Sequence, residues 1–152
     1  MRRLHLATFA RGKDSLTKDQ ETELKLHHVQ ISMPRGQEDE ARRFYAHALG
    51  LQEVTKPPSL KGRGGCWFRA YDGGAVVAEI HLGVEEPFAT ARKAHPGLVV
   101  DSLEELEATA QRIQNQEYEL SWAEKDTLEG YVRFHARDGF GNRIEIMTQD
   151  MG

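Results

Sequence analysis

Four residues of this chain pair a metal-ligating side chain with a repeating position, His28, Glu79, His95 and Glu145, and His81 stands two residues after Glu79. Imidazole nitrogens and carboxylate oxygens are the ligands that zinc, iron, manganese, nickel and cobalt accept. The interval from His28 to Glu79 is 51 residues, and that from His95 to Glu145 is 50. One histidine and one glutamate therefore bracket each half of the chain. A divalent ion held there with an open coordination position is a Lewis acid. A glutamate beside it either binds the ion or serves as a general base, so Glu145 and Glu79 are the candidate catalytic residues.

These side chains need elements to position them. Residues 25–33, KLHHVQISM, alternate, with Val29, Ile31 and Met33 on one face and His28, Gln30 and Ser32 on the other. Ala41, Phe44, Tyr45 and Ala48 follow at helical spacing, and Gly50 stands where a helix ends. Three strand-like runs come next, over 51–56, 65–71 and 75–83, with Gly73-Gly74 as a hairpin turn. The plan then restarts. Residues 95–100 read as a strand, Ser102 to Glu105 is a capping box, and Leu103, Leu106, Ala110 and Ile113 form the apolar stripe of a helix. Runs over 117–122, 131–137 and 142–148 complete a second strand–helix–three-strand unit.

Alternation also assigns faces. Glu79 and His81 oppose Ile80 and Leu82, and Glu145 opposes Ile144 and Ile146. If helices cover the apolar face, the polar face carries His28, Glu79, His81, His95 and Glu145 together. The third strand of each half adds Trp67, Arg69 and Tyr71, then Arg133, His135 and Arg137. Arg69 and Arg133 suit an anionic substrate, Trp67 offers a flat surface, and His135 joins them as a substrate-binding candidate. His27 shares parity with Val29 and reads as structural, while His5 and His47 read as surface residues. Residues 61–65, KGRGG, belong to no Walker pattern and are expected to form a flexible hairpin lip. Cys66 is expected to be a buried, unreactive thiol.

With 152 residues, 39% hydrophobic and 29% charged, the chain has the composition of one globular domain. A net charge of −4 argues against a nucleic-acid partner. A single cysteine suggests a reducing compartment, taken as the cytoplasm, and no apolar run approaches a membrane span. Residues 1–23 read as a flexible N-terminal extension. Their arginines, with no acid before Asp14, also fit a presequence. The sequence has no His-Glu-x-x-His, Cys-x-x-Cys, P-loop or Gly-x-Ser-x-Gly motif.

The pieces LHHVQISM, ARRFYAHALGL, AEIHLG, HPGLVVDSLEEL and RDGFGNRIEIM resemble, in order and spacing, the vicinal oxygen chelate superfamily of glyoxalases, bleomycin-resistance proteins and extradiol dioxygenases. The resemblance spans residues 24–149. It implies an α+β fold of two βαβββ modules, over 24–84 and 94–149, forming a curved mixed sheet around a cleft with helices on the outer face. It further implies that His28, His95 and Glu145 hold a divalent metal, with either Glu79 or His81 as a fourth ligand. The metal would chelate vicinal oxygens of a small-molecule substrate, and the chain would form a homodimer. The alternative within the same family is a metal-free protein that sequesters a ligand.

Overall fold

The computed structural model describes residues 24–152; the extension expected over 1–23, with His5, lies outside the described residues. Module one runs β1 (Val29–Met33), α1 (Glu38–Arg42), β2 (Gln52–Val54), β3 (Cys66–Asp72) and β4 (Ala75–Val84). Module two runs β5 (Gly97–Val99), α2 (Leu103–Asn115), β6 (Leu120–Ser121), β7 (Tyr131–Arg137) and β8 (Arg143–Gln149). Each module is βαβββ and forms its own four-stranded mixed sheet, ordered β1-β4-β3-β2 and β5-β8-β7-β6. In both sheets the first strand lies parallel to the last, and the remaining pairs are antiparallel.

Local chemistry accounts for the ends of these elements. The Ser102 side chain accepts a hydrogen bond from the Glu105 amide at 3.1 Å and opens α2. Gly73 and Gly74, at φ +53° and +84°, make the tight turn from β3 to β4. Pro96 carries no N–H for a ladder, so β5 begins at Gly97 and leaves His95 just outside it.

The first helix departs from simple periodicity. After Arg42 it widens into a π-helical segment, Arg43–Ala48, in which the Leu49 amide donates to the Phe44 carbonyl at 2.9 Å. Phe44 and Tyr45, adjacent in sequence, are both fully buried.

One core serves both modules. Phe68, Ile80 and Leu82 from the first sheet join Phe134, Ala136, Ile144 and Ile146 from the second, with Phe44 and Tyr45 and with Leu106, Ala110 and Ile113 of α2. The helices lie on the apolar faces of the sheets, so each polar face points away from this common core. Polar groups lock the modules together. The Tyr45 hydroxyl donates to Asp138 Oδ2 at 2.7 Å, and Asn142 Nδ2 donates to the same oxygen and to the Ser32 carbonyl, each at 2.9 Å. The amides of Phe140 and Asn142 donate to Asp138 Oδ1. Burial pushes the Asp138 carboxyl up from its ordinary value, against the pull of these donors.

Two expectations change. His27 is exposed rather than part of the core, because the β1 ladder starts only at Val29. Residues 61–65 form no free lip. Pro58–Arg63 is a 3₁₀ turn, the Gly65 amide donates to Glu38 Oε1 at 2.9 Å, and a Cβ at Gly65 would lie 2.0 Å from the Leu82 carbonyl oxygen. Cys66 is buried, and burial first of all pushes its thiol up to about 12, which leaves it protonated and inert. Among the described residues, no helix is long and apolar enough to cross a membrane.

Candidate metal centre

In module two the order β5-β8-β7 puts Glu145 on the central strand of three. His95 precedes β5, and β7 places His135 directly opposite Glu145. His95, His135 and Glu145 each offer a ligand atom, and the three atoms all lie within 4.8 Å of one another. Glu145 is 6% exposed and His135 8%. The His95 Nε2 is 3.2 Å from Glu145 Oε2, and the His135 Nε2 is 3.8 Å from Oε1. The His95 and His135 rings meet edge to face at 5.4 Å.

Hydrogen bonding shows what this group is suited to hold. The His95 Nδ1 is 2.7 Å from the Lys93 carbonyl oxygen, which can only accept, so Nδ1 carries the proton. A neutral ring then turns the lone pair of Nε2 toward a carboxylate oxygen. Two lone-pair atoms at this separation need a proton or a metal ion between them. A backbone carbonyl behind a ligating histidine is the usual outer partner of such a site. The His135 Nε2 is the buried side-chain polar atom that lacks any hydrogen-bond partner among the described residues. Two imidazoles and a carboxylate match the donor set of a divalent transition metal, so the residues present fit one.

The charges around the cluster are arranged for an ionised Glu145 and a neutral His135. Burial alone would raise the Glu145 carboxyl, but the Arg133 guanidinium that donates to it is foremost among the neighbours that outweigh burial and hold the carboxyl below its ordinary value. Burial, then the Arg143 charge, lowers His135. Arg133 Nη1 donates to Glu145 Oε1 at 2.6 Å, and the rest of its guanidinium reaches the Glu124 carbonyl at 3.2 Å and Thr127 Oγ1 at 2.7 Å. A cavity of about 280 Å³ adjoins His135 and is also lined by Ser121, Glu124, Arg137 and Arg143.

Module one carries a second polar cluster. Glu79 is held by Arg69 Nε and Nη2 at 2.9 and 3.2 Å and by the His81 Nε2 at 2.7 Å. Burial opposes ionisation, yet Arg69 and His81 together bring the Glu79 carboxyl down to about 2. His81 lies between two flat groups, Trp67 at 3.8 Å and 2°, and His28 at 4.2 Å and 15°. Burial lowers its pKa. His28 is exposed, and its Nδ1 lies 2.9 Å from that of His27.

The trio His28, His95 and Glu145 is therefore divided within the chain. His95 and Glu145 meet, while His28 stacks on His81 in the other module and is outside the converging ligand atoms. Glu79 and His81 are likewise with His28, and Arg69 and Arg133 each serve a glutamate. His135 is the residue whose proximity to the ligand atoms was missed. The signal was available, because a hairpin turning at residues 138–142 pairs position 135 with 145.

The model of the Glyoxalase/Bleomycin resistance protein/Dioxygenase superfamily matches residues 25–146. No curated protein matches the chain. Among solved structures, a glyoxalase family protein from Bacillus anthracis is 38% identical, with a TM-score of 0.73 over 86% of this chain and 98% of that one. The fosfomycin resistance protein FosX from Listeria monocytogenes (tetragonal form) is 14% identical, with a TM-score of 0.60 over 86% and 95% of the two chains. A glyoxylase/bleomycin resistance protein/dioxygenase domain from Frankia sp. EAN1pec is 18% identical, at 0.63 over 86% and 96%. The last two likenesses are of fold. With its paired βαβββ modules and a family match along most of its length, the chain belongs to the Glyoxalase/Bleomycin resistance protein/Dioxygenase superfamily.

Proposed function

We propose that the protein is a metal-dependent enzyme of glyoxalase or dioxygenase type acting on a small organic substrate. The observation that carries this reading is the His95 Nε2 facing Glu145 Oε2 at 3.2 Å while the other ring nitrogen is engaged by a backbone carbonyl. A divalent ion, when bound, supplies Lewis-acid stabilisation of negative charge on two neighbouring substrate oxygens. His95 and Glu145 hold it, and Lys93 fixes the tautomer that lets His95 do so.

The remaining groups orient the substrate. Arg137 and Arg143 line the cavity next to the cluster and suit an anionic substituent. The His28–His81–Trp67 stack is a flat wall for an organic ring or chain. Glu79, held down to about 2, is a weak base and acts as the anchor of Arg69 and His81 rather than as a proton acceptor. The two polar faces point away from the shared core. We propose that a second copy covers them in a homodimer, and a monomer by light scattering at micromolar concentration would remove that proposal.

A second reading, ligand storage without a metal, draws on Arg133, which already neutralises Glu145 at 2.6 Å. Elemental analysis of purified protein, before and after chelation and with zinc, iron, manganese, nickel and cobalt offered back, separates the two. The enzyme reading expects stoichiometric metal and turnover in a screen of glutathione–methylglyoxal adduct and catechols. Absence of metal and failure to rebind any would leave only the storage reading.

A further inference from the structure

Independently of the metal reading, we infer that Asp72-Gly73 is a site of covalent self-modification, where the aspartyl linkage rearranges to isoaspartyl, and that the fold withholds Asp138-Gly139 from the same reaction. These are the two Asp-Gly steps in the chain. A glycine after aspartate leaves the next amide nitrogen unshielded by a Cβ and free to rotate toward the side-chain carboxyl carbon. The Gly73 nitrogen bonds to Asp72 Cγ, and the carboxyl hydroxyl leaves with the amide proton as water, which closes a cyclic imide. Water then adds at the main-chain carbonyl of that ring and breaks its bond to nitrogen, which takes back a proton. Gly73 is left joined through Cγ, with a free carboxyl on the main-chain carbon of Asp72. The water released is matched by the water consumed, so the mass is unchanged and nothing is oxidised.

The surroundings of the two steps differ. Asp72 ends β3 and, with Gly73 and Gly74, is exposed at the hairpin tip. A Cβ at either glycine would meet nothing within 4 Å, so the peptide has room to turn. The rotation disturbs the last pair of the β3–β4 ladder, Asp72 with Ala75, where a strand end opens most readily. Asp138 is 5% exposed, and each of its carboxylate oxygens accepts two hydrogen bonds. Oδ1 takes the amides of Phe140 and Asn142 at 2.9 and 2.8 Å, and Oδ2 takes Tyr45 and the Asn142 side chain at 2.7 and 2.9 Å. Attack on its Cγ requires that grip to open. Gly139 is also hemmed in, since a Cβ built there would lie 2.0 Å from Glu40 Oε1. Rearrangement at Asp72 adds a backbone carbon to the turn that joins β3 to β4, beside the register shift between Ala70 and Tyr71.

The experiment ages the folded full-length chain at physiological temperature and neutral pH, in parallel with the same chain in urea and with Asp72→Glu. Trypsin then separates the two steps, one in residues 70–92 and the other in residues 138–143. Electron-transfer fragmentation distinguishes isoaspartyl from aspartyl peptides of equal mass, and an isoaspartyl carboxyl methyltransferase with a labelled methyl donor counts the new carboxyls. In the folded chain, isoaspartate should accumulate in 70–92 at least about tenfold faster than in 138–143, the factor set by losing even one charge-assisted hydrogen bond at Asp138. In urea the two rates should converge, because the dipeptide is the same. Asp72→Glu should remove most of the methyl label from the folded chain. Equal accumulation at the two steps in the folded chain overturns the inference. So does a folded chain in which 70–92 gains no isoaspartate while the urea sample does, since the hairpin tip would then be protected.

Discussion

Replacing Glu79 by glutamine tests the electrostatics of module one with a quantity that can be worked out in advance. The carboxyl titrates at 4.5 when unperturbed and is held down to about 2 in the fold. At about 1.4 kcal/mol per pH unit, that gap corresponds to at most about 3.5 kcal/mol. The Glu79 side chain is 3% exposed, but its main partner Arg69 is 32% exposed, so solvent screens the pair and about 1.5 kcal/mol is the better expectation. The sign follows from linkage. A folded carboxyl below its unfolded value stabilises fully above about pH 5, and the stabilisation disappears as pH falls toward 2. Glutamine keeps the shape and one acceptor oxygen for Arg69 and His81 but cannot ionise. Urea unfolding of metal-free wild type and Glu79→Gln, followed by circular dichroism at pH 7, 5, 4 and 3, should show a gap of about 1.5 kcal/mol at pH 7 that is mostly gone at pH 3. Glu145 is also depressed, so both curves fall with acid, and the difference between them isolates Glu79. A gap as large at pH 3 as at pH 7 would show that Glu79 contributes through packing, and the ion-pair reasoning would be wrong.

Three other outcomes are expected. Arg133→Met frees Glu145 Oε1 from a guanidinium at 2.6 Å, and with a charge-assisted bond of ~1.5 kcal/mol removed, zinc affinity should rise on the order of tenfold; an unchanged or lower affinity by chelator competition counts against Arg133 as competitor. Tyr45→Phe removes the 2.7 Å bond to Asp138 and should cost about 1.5–3 kcal/mol, a drop in Tm of roughly 5–10 °C; a change below about 1 °C would mean that the buried network does not join the modules. Gly65→Val places a Cβ on the Leu82 carbonyl at a residue with φ of +80° and should destabilise by more than ~2 kcal/mol in urea titration, whereas a neutral result would show that the loop is free to move off β4.

The residues themselves determined a good deal here. The βαβββ repeat, the Ser102 cap, the Gly73-Gly74 turn and the facing of Glu79, His81 and Glu145 follow from rules acting over a few residues: alternation in strands, capping and positive φ. Such rules assign a side chain to a face, and both glutamates lie opposite their neighbouring isoleucines. They do not say which strands stand side by side or where a second face lies. Tertiary packing settled those points. Hydrogen bonding closes separately within each module, and both apolar faces are turned onto one core, which parts His28 from His95 and Glu145. The long-range pairing of strands brings His135 to Glu145 and gives each glutamate an arginine, which reads in the sequence as a free cation for substrate. The Tyr45–Asp138 link likewise joins the two modules across 93 residues of chain. Chain-local propensity carries no term for such a contact, so only the folded arrangement could place the candidate ligand atoms together.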